Sequence, residues 1–143
     1  MTLSGLGFDS DATGAKDNIL VGKRSGLGLD TQVHLGAFDL WAEYLQGTFK
    51  PDNKTPKDKL TAAGSYAQLS YFVRPSKLQA VLKYETFDPN TDKDSDDTAT
   101  ILVGVNDYLK GDDLKLQLDY QRSDAHGLSD GENKLFARWQ LIF

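Results

Sequence analysis

From Leu114 onward, apolar and polar side chains alternate one for one. Leu114, Leu116, Leu118 and Tyr120 hold one parity, and Lys115, Gln117, Asp119 and Gln121 hold the other. A period of two places each set on one side of an extended strand. The pattern returns at Leu78, Ala80, Leu82, Tyr84 against Gln79, Lys83, Glu85, and at Ala67, Leu69, Tyr71, Val73 against Gln68, Ser70. Leu135, Ala137, Trp139, Leu141 and Phe143 likewise oppose Lys134, Arg138 and Gln140, while Leu40, Ala42, Tyr44 oppose Asp39 and Glu43. Leu27, Leu29, Val33 and Leu35 face away from Asp30, Gln32 and His34, and Ile101, Val103, Val105 supply a seventh apolar face. An eighth strand, Thr2 to Phe8, is short and its parity is ambiguous.

The connections alternate too. Short turns are expected at Gly36-Ala37, Arg74-Pro75-Ser76-Lys77 and Lys110-Gly111-Asp112. Long polar loops are expected over residues 9 to about 24, 49 to 59, 88 to 97 and 124 to 131. When every second connection is short, an antiparallel up-and-down meander carries all its tight turns at one end and all its long loops at the other. The prediction is all-β: about eight antiparallel strands, forming either a closed small barrel or half of a sixteen-stranded one. No internal repeat beyond the hairpin and no linker divides residues 1–143, so they read as a single unit.

Alternation does not say whether the apolar face meets lipid or a dry interior, since a soluble ligand-binding barrel alternates with its apolar face inward. Three features favour lipid. The clear strands run to about 10 to 12 residues, near the ~9 to 11 that cross a bilayer at a tilt. Aromatic residues collect near strand ends, at Tyr44, Tyr71, Tyr84, Tyr108, Tyr120 and Phe143, as in an interfacial girdle. The chain also ends on Phe143, closing an alternating strand without a polar tail. The opposite face is then a lumen wall. It carries Asp30, Glu43, Glu85 and Asp119 against Lys83, Lys115, Lys134 and Arg138. Such charges need partners or water.

Composition agrees with strands. Aspartate numbers 18 and glutamate 3, and Asp is a turn residue where Glu is a helix former. Mean hydropathy is −0.46, and no apolar run reaches the ~18 residues of a membrane helix. Met1-Thr2-Leu3-Ser4-Gly5 is not the basic start of a secretory signal. The net charge of −5, with scattered Lys and Arg, offers no footprint for nucleic acid. With no cysteine, disulfides, thiolate metal sites and Cys nucleophiles are excluded.

The remaining candidates for chemistry favour plain readings. Asp88, Asn90, Asp92 and Asp94 alternate as in a calcium loop. Lys93, however, occupies the position that needs Gly and Ala99 the one that needs a bidentate Glu, so a solvated acidic loop is expected. His34 and His126 lack companion ligands, and no metal or cofactor is expected. Ser123 and Asp124, or Ser129 and Asp130, beside His126 supply the residue types of a hydrolase without its geometry, and no G-x-S-x-G is present. The expectation is a non-enzyme. Gly26-Leu27-Gly28 is too short for a phosphate cradle, and glycine in a barrel strand marks curvature.

Two stretches bring in a family. Gly104-Val105-Asn106-Asp107-Tyr108-Leu109-Lys110-Gly111-Asp112-Asp113-Leu114 through Tyr120, and Glu132-Asn133-Lys134 through Phe143, resemble the C-terminal strands of phosphate-selective porins of the O and P type. Gly36 through Tyr44 and Tyr66 through Val73 add to the resemblance, which covers about residues 27 to 143. It implies a trimeric porin in the outer membrane of a Gram-negative bacterium, passing small anions such as phosphate by diffusion. The sequence looks like the C-terminal half of such a porin or a shortened relative. Terminal Phe143 resembles the signal read by the barrel assembly machinery. The family's basic ladder is mostly unmatched: Lys83, Lys115 and Arg138 fit a wet wall, but the acids beside them offset their charge. Arg138 is the lumen residue expected to touch a permeating anion. Asp107, on the apolar parity, is expected at the periplasmic interface. The alternative is a closed eight-stranded outer-membrane barrel that anchors or adheres through its long loops.

Overall fold

The computed structural model describes residues 1–12, 22–51, 59–125 and 131–142. It contains eight strands: β1 (Thr2–Ala12), β2 (Gly22–Leu35), β3 (Phe38–Pro51), β4 (Leu60–Arg74), β5 (Leu78–Asp88), β6 (Thr98–Asp112), β7 (Leu114–Ala125) and β8 (Glu132–Leu141). They form one sheet in sequence order, every neighbouring pair antiparallel. The ladder runs from β1 to β8 without closing, so the outer edges of β1 and β8 carry no strand partner among the described residues.

The register carries the parity pattern across the sheet. Val33, Leu40, Leu69, Leu82, Val103, Tyr120 and Leu135 lie opposite one another in a single row from β2 to β8. A slip of one residue at any pair would turn that strand's apolar set to the other face, so the matched row is what fixes the register. β1 takes a definite parity: Leu3 pairs with Thr31 on the face of this row, whereas Leu6 and Phe8, opposite Gly28 and Gly26, join the polar face. Gly26 leaves room for the Phe8 ring, whose edge a Cβ there would strike.

At one end of the sheet the connections are tight. Leu35 pairs with Phe38 around Gly36-Ala37, and Gly36 takes the positive φ of 62° that such a two-residue loop requires. Ser76 (φ 57°) and Gly111 (φ 57°) turn the other two hairpins. Bulges between Phe72 and Arg74 and between Tyr108 and Lys110 precede them. At the other end, strands run past the expected loop starts: β1 continues to Ala12, β3 to Pro51, and β2 begins at Gly22. Backbone pairing needs no apolar face, so polar residues such as Lys23, Arg24, Thr48 and Lys50 continue the ladder.

The two faces differ in shielding. Among the described residues no hydrophobic side chain is buried, and the buried polar ones are Thr61, Ser70, Gln79 and Asn106. Along β5 and β6, Leu82, Tyr84, Ile101, Val103 and Val105 are exposed, while Val81, Lys83, Glu85 and Leu102 between them are half-buried. The sheet therefore curls toward its polar face, the reverse of a soluble barrel built around a dry apolar core.

Candidate functional site

The concave face is a wall whose order comes from cross-strand neighbours. Its centre is a ladder of amides: Asn106 Nδ2 donates to Gln79 Oε1 at 2.9 Å, and Gln117 Nε2 donates to Asn106 Oδ1 at 2.8 Å. These residues face one another on β5, β6 and β7, with Arg138 next to Gln117 on β8. Tyr108 hydroxyl donates to the same Gln79 oxygen at 3.0 Å. Asn106 both donates and accepts, so the ladder runs across three strands with no charge.

The charged residues expected on the lumen side all lie on this face. Lys83 Nζ meets Glu85 Oε2 at 2.5 Å and stands 4.9 Å from the Tyr66 ring centroid. Lys134 Nζ meets Glu132 Oε2 at 2.8 Å. Lys115 sits over the Tyr108 ring at 4.7 Å. The Asp119 carboxylate lies against Gly104, where a Cβ would collide with its Oδ1. Arg138 is exposed and makes no ion pair among the described residues. Asp30 and Glu43 face each other directly, with Ser4 Oγ donating to Asp30 at 2.5 Å and Tyr66 hydroxyl bonding Glu43. Two carboxylates directly opposite repel, so this part of the wall needs water. His34 Nδ1 lies 2.5 Å from Asp39 Oδ1 across the first hairpin.

The six girdle candidates divide. Tyr44, Tyr71, Tyr84 and Tyr120 lie on the apolar face, each exposed. Phe38 and Tyr71 pack there at 4.4 Å between centroids, near the tight-turn end. Tyr108 is on the polar face instead. Counting from Val105 gives it the polar parity, and its hydroxyl is engaged by Gln79. Phe143 lies outside the described residues.

Tyr44, Tyr84 and Tyr120 form a staircase. The row through Tyr44 reaches β5 at Thr86, two residues beyond Tyr84, and the row through Tyr84 reaches β7 at Arg122, two residues beyond Tyr120. A step of two residues, ~3.4 Å each, over two strand spacings of ~4.8 Å corresponds to a tilt of roughly 35° for a line through the three rings.

Several aromatic side chains on the polar face escaped the sequence reading: Trp41, Tyr66, Phe72 and Phe136 join Tyr108 there. Their parity was available in the sequence, but the amide ladder was not, because it depends on which strands neighbour each other. The acidic stretch 88–97 uses its side chains locally. Asn90 N donates to Asp88 Oδ1 at 2.9 Å and Asp92 N to Asn90 Oδ1 at 3.3 Å. Thr91 N ties it to Thr61 O at 2.8 Å. No metal-holding group of side chains occurs among the described residues. Ser123 faces the polar side, bonded to Thr100 at 2.9 Å, whereas Asp124 faces the apolar side, held by Arg122. The two therefore point apart. His126, Ser129 and Asp130 lie outside the described residues. Asp107 sits on the apolar face opposite Leu78 and Leu116, beside the tight turns.

The family model for phosphate-selective porin O and P matches residues 9–142, nearly the whole chain. Neither the curated proteins nor the solved structures give a match.

Proposed function

Because the chain belongs to the phosphate-selective porin O and P family, and so to a family of porin-type outer-membrane channels, we propose that its polar face lines a water-filled path for passive diffusion of small hydrophilic solutes, anions among them. The observation that carries this is the direction of curl: the polar face is concave, and the apolar face is convex and exposed. An exposed apolar surface of this extent is costly in water, since each Leu, Val or Phe side chain gains about 1.5 to 3 kcal/mol on leaving it. Lipid supplies that transfer. The line through Tyr44, Tyr84 and Tyr120 supports the same orientation, because strands tilted ~35–45° bring rings on such a line to one membrane interface.

The free edges of β1 and β8 also matter. Unpaired backbone groups cost several kcal/mol each in hydrocarbon, so both edges must be paired, by each other or by further strands, wherever this wall spans a membrane. Charged and amide side chains on the polar face, among them Glu43, Lys83, Gln117 and Arg138, need water or partners, which a wide water-lined interior supplies. An eight-stranded barrel is filled by side chains. That counts against a closed, non-conducting barrel used for anchoring or adhesion.

Arg138 is the cation we assign to permeating anions. Arg138 lies mid-strand on β8 beside Gln117, and Lys115 is diagonal to it across the β7–β8 pair. Outer-membrane lipid is the proposed surrounding, and assembly through the barrel assembly machinery into a trimer follows family expectation. The test is conductance in planar bilayers under a salt gradient. Replacing Arg138 with Glu is expected to shift the reversal potential toward cations, and an unchanged reversal potential would remove Arg138 from that role.

A further inference from the structure

Ser70, Val81 and Gly104 lie opposite one another on β4, β5 and β6. The short Ser70 and Val81 side chains floor a depression of about 470 Å³ in the polar wall, within the ~300–1,000 Å³ range of small-molecule sites, while the Asp119 carboxylate lies against Gly104. Trp41 and Gln68 rise on the long-loop side, and the Gln79–Asn106–Gln117 ladder bounds the other. Asp39 and Asp119 stand toward its two ends. We infer that this depression binds a neutral polyhydroxylated solute of the sugar class.

The donor and acceptor inventory supports this. The ladder leaves Gln79 Nε2 as a donor and Gln117 Oε1 as an acceptor, and a sugar hydroxyl answers both. The carboxylates accept from further hydroxyls, and the indole of Trp41, 43% exposed, offers a flat apolar face to ring C–H groups. An anion brings acceptors only and would face Asp39 and Asp119. Lys83 and Lys115 line the depression as well and balance the two carboxylates, with Lys83 paired to Glu85, so the lining carries no excess positive charge to select an anion. Arg138 does not line the depression but neighbours Gln117 at its edge, and the site rests on the polar face being the water-lined one.

The chain has two tryptophans, and Trp139 is on the apolar face, so Trp139→Phe leaves Trp41 as the only indole. This variant, folded in a detergent without a sugar headgroup, is titrated with glucose, maltose and inorganic phosphate while Trp41 fluorescence is followed. The expected result is a saturable change with at least one sugar and none with phosphate. Adding Val81→Phe fills the floor and is expected to weaken the sugar effect by about tenfold or more. Adding Asn106→Leu breaks the ladder and is expected to weaken it similarly. No saturable sugar response, a saturable phosphate response, or a sugar response indifferent to both substitutions would overturn the inference. Vesicle insertion of the same protein is scored separately: insertion without sugar binding overturns the site alone, and failure to insert overturns the channel reading.

Discussion

A methyl group added at Gly36 and one added at Gly47 should act in opposite directions. Gly36 has φ 62° at the turn between β2 and β3, and nothing lies within 4 Å of a Cβ there, so the cost of Gly36→Ala is that of the left-handed backbone alone, about 1 to 2 kcal/mol. Gly47 also faces open space but has no positive φ, so Gly47→Ala should restrict only the unfolded chain and stabilise by up to about 1 kcal/mol. Urea unfolding of the two variants in detergent should shift their midpoints to opposite sides of the parent. Parity made most single residues legible in the sequence: Lys83, Glu85, Lys115, Asp119, Lys134 and Arg138 share the polar face they were read onto. Tyr108 was misread because its place near a strand end was weighed above its parity. The structure shows what its polar neighbour Gln79 does with the hydroxyl.

Elements were legible where one face is apolar and less so where both are polar. The alternation from Leu78 to Glu85 marks β5 without ambiguity, but β1 alternates Leu6 and Phe8 with glycines, which removes the contrast that parity needs. Only pairing with Gly26 and Gly28 assigns its faces. Loop boundaries were misjudged for a related reason, since polar residues above the apolar band still hold a ladder. Pairing also predicts dynamics. β4 and β5 have neighbours on both sides, whereas β1 and β8 each have one. Amide hydrogen exchange of the folded 143-residue chain in detergent should therefore leave β4 and β5 protected, with alternate amides of β1 and β8, those pointing to the free edge, exchanging fast. Uniform protection of both edge strands would mean that they are paired, by each other or by another chain.

At the scale of the molecule, the chain is a curved eight-stranded wall that separates two chemistries. Its convex side is a row-by-row apolar surface from Val33 to Leu135, and its concave side holds amides, ion pairs and aromatic rings. The net charge of −5 does not describe that inner wall, because Asp92, Asp94, Asp96, Asp97 and Asp113 lie in connections and Asp107 and Asp124 on the apolar face. Selectivity must therefore be judged from the lining, not from the average. In a membrane, the apolar face of this wall is expected to meet lipid and its polar face water. The chain has no cysteine, so a single one introduced along β5 is unique. Cysteines placed one at a time at positions 80 to 85, in protein inserted into vesicles, are probed with a membrane-impermeant thiol reagent. Labelling with a period of two is expected: positions 81, 83 and 85 react, while 80, 82 and 84 are protected. Equal labelling of both parities, or labelling confined to 80, 82 and 84, would contradict it.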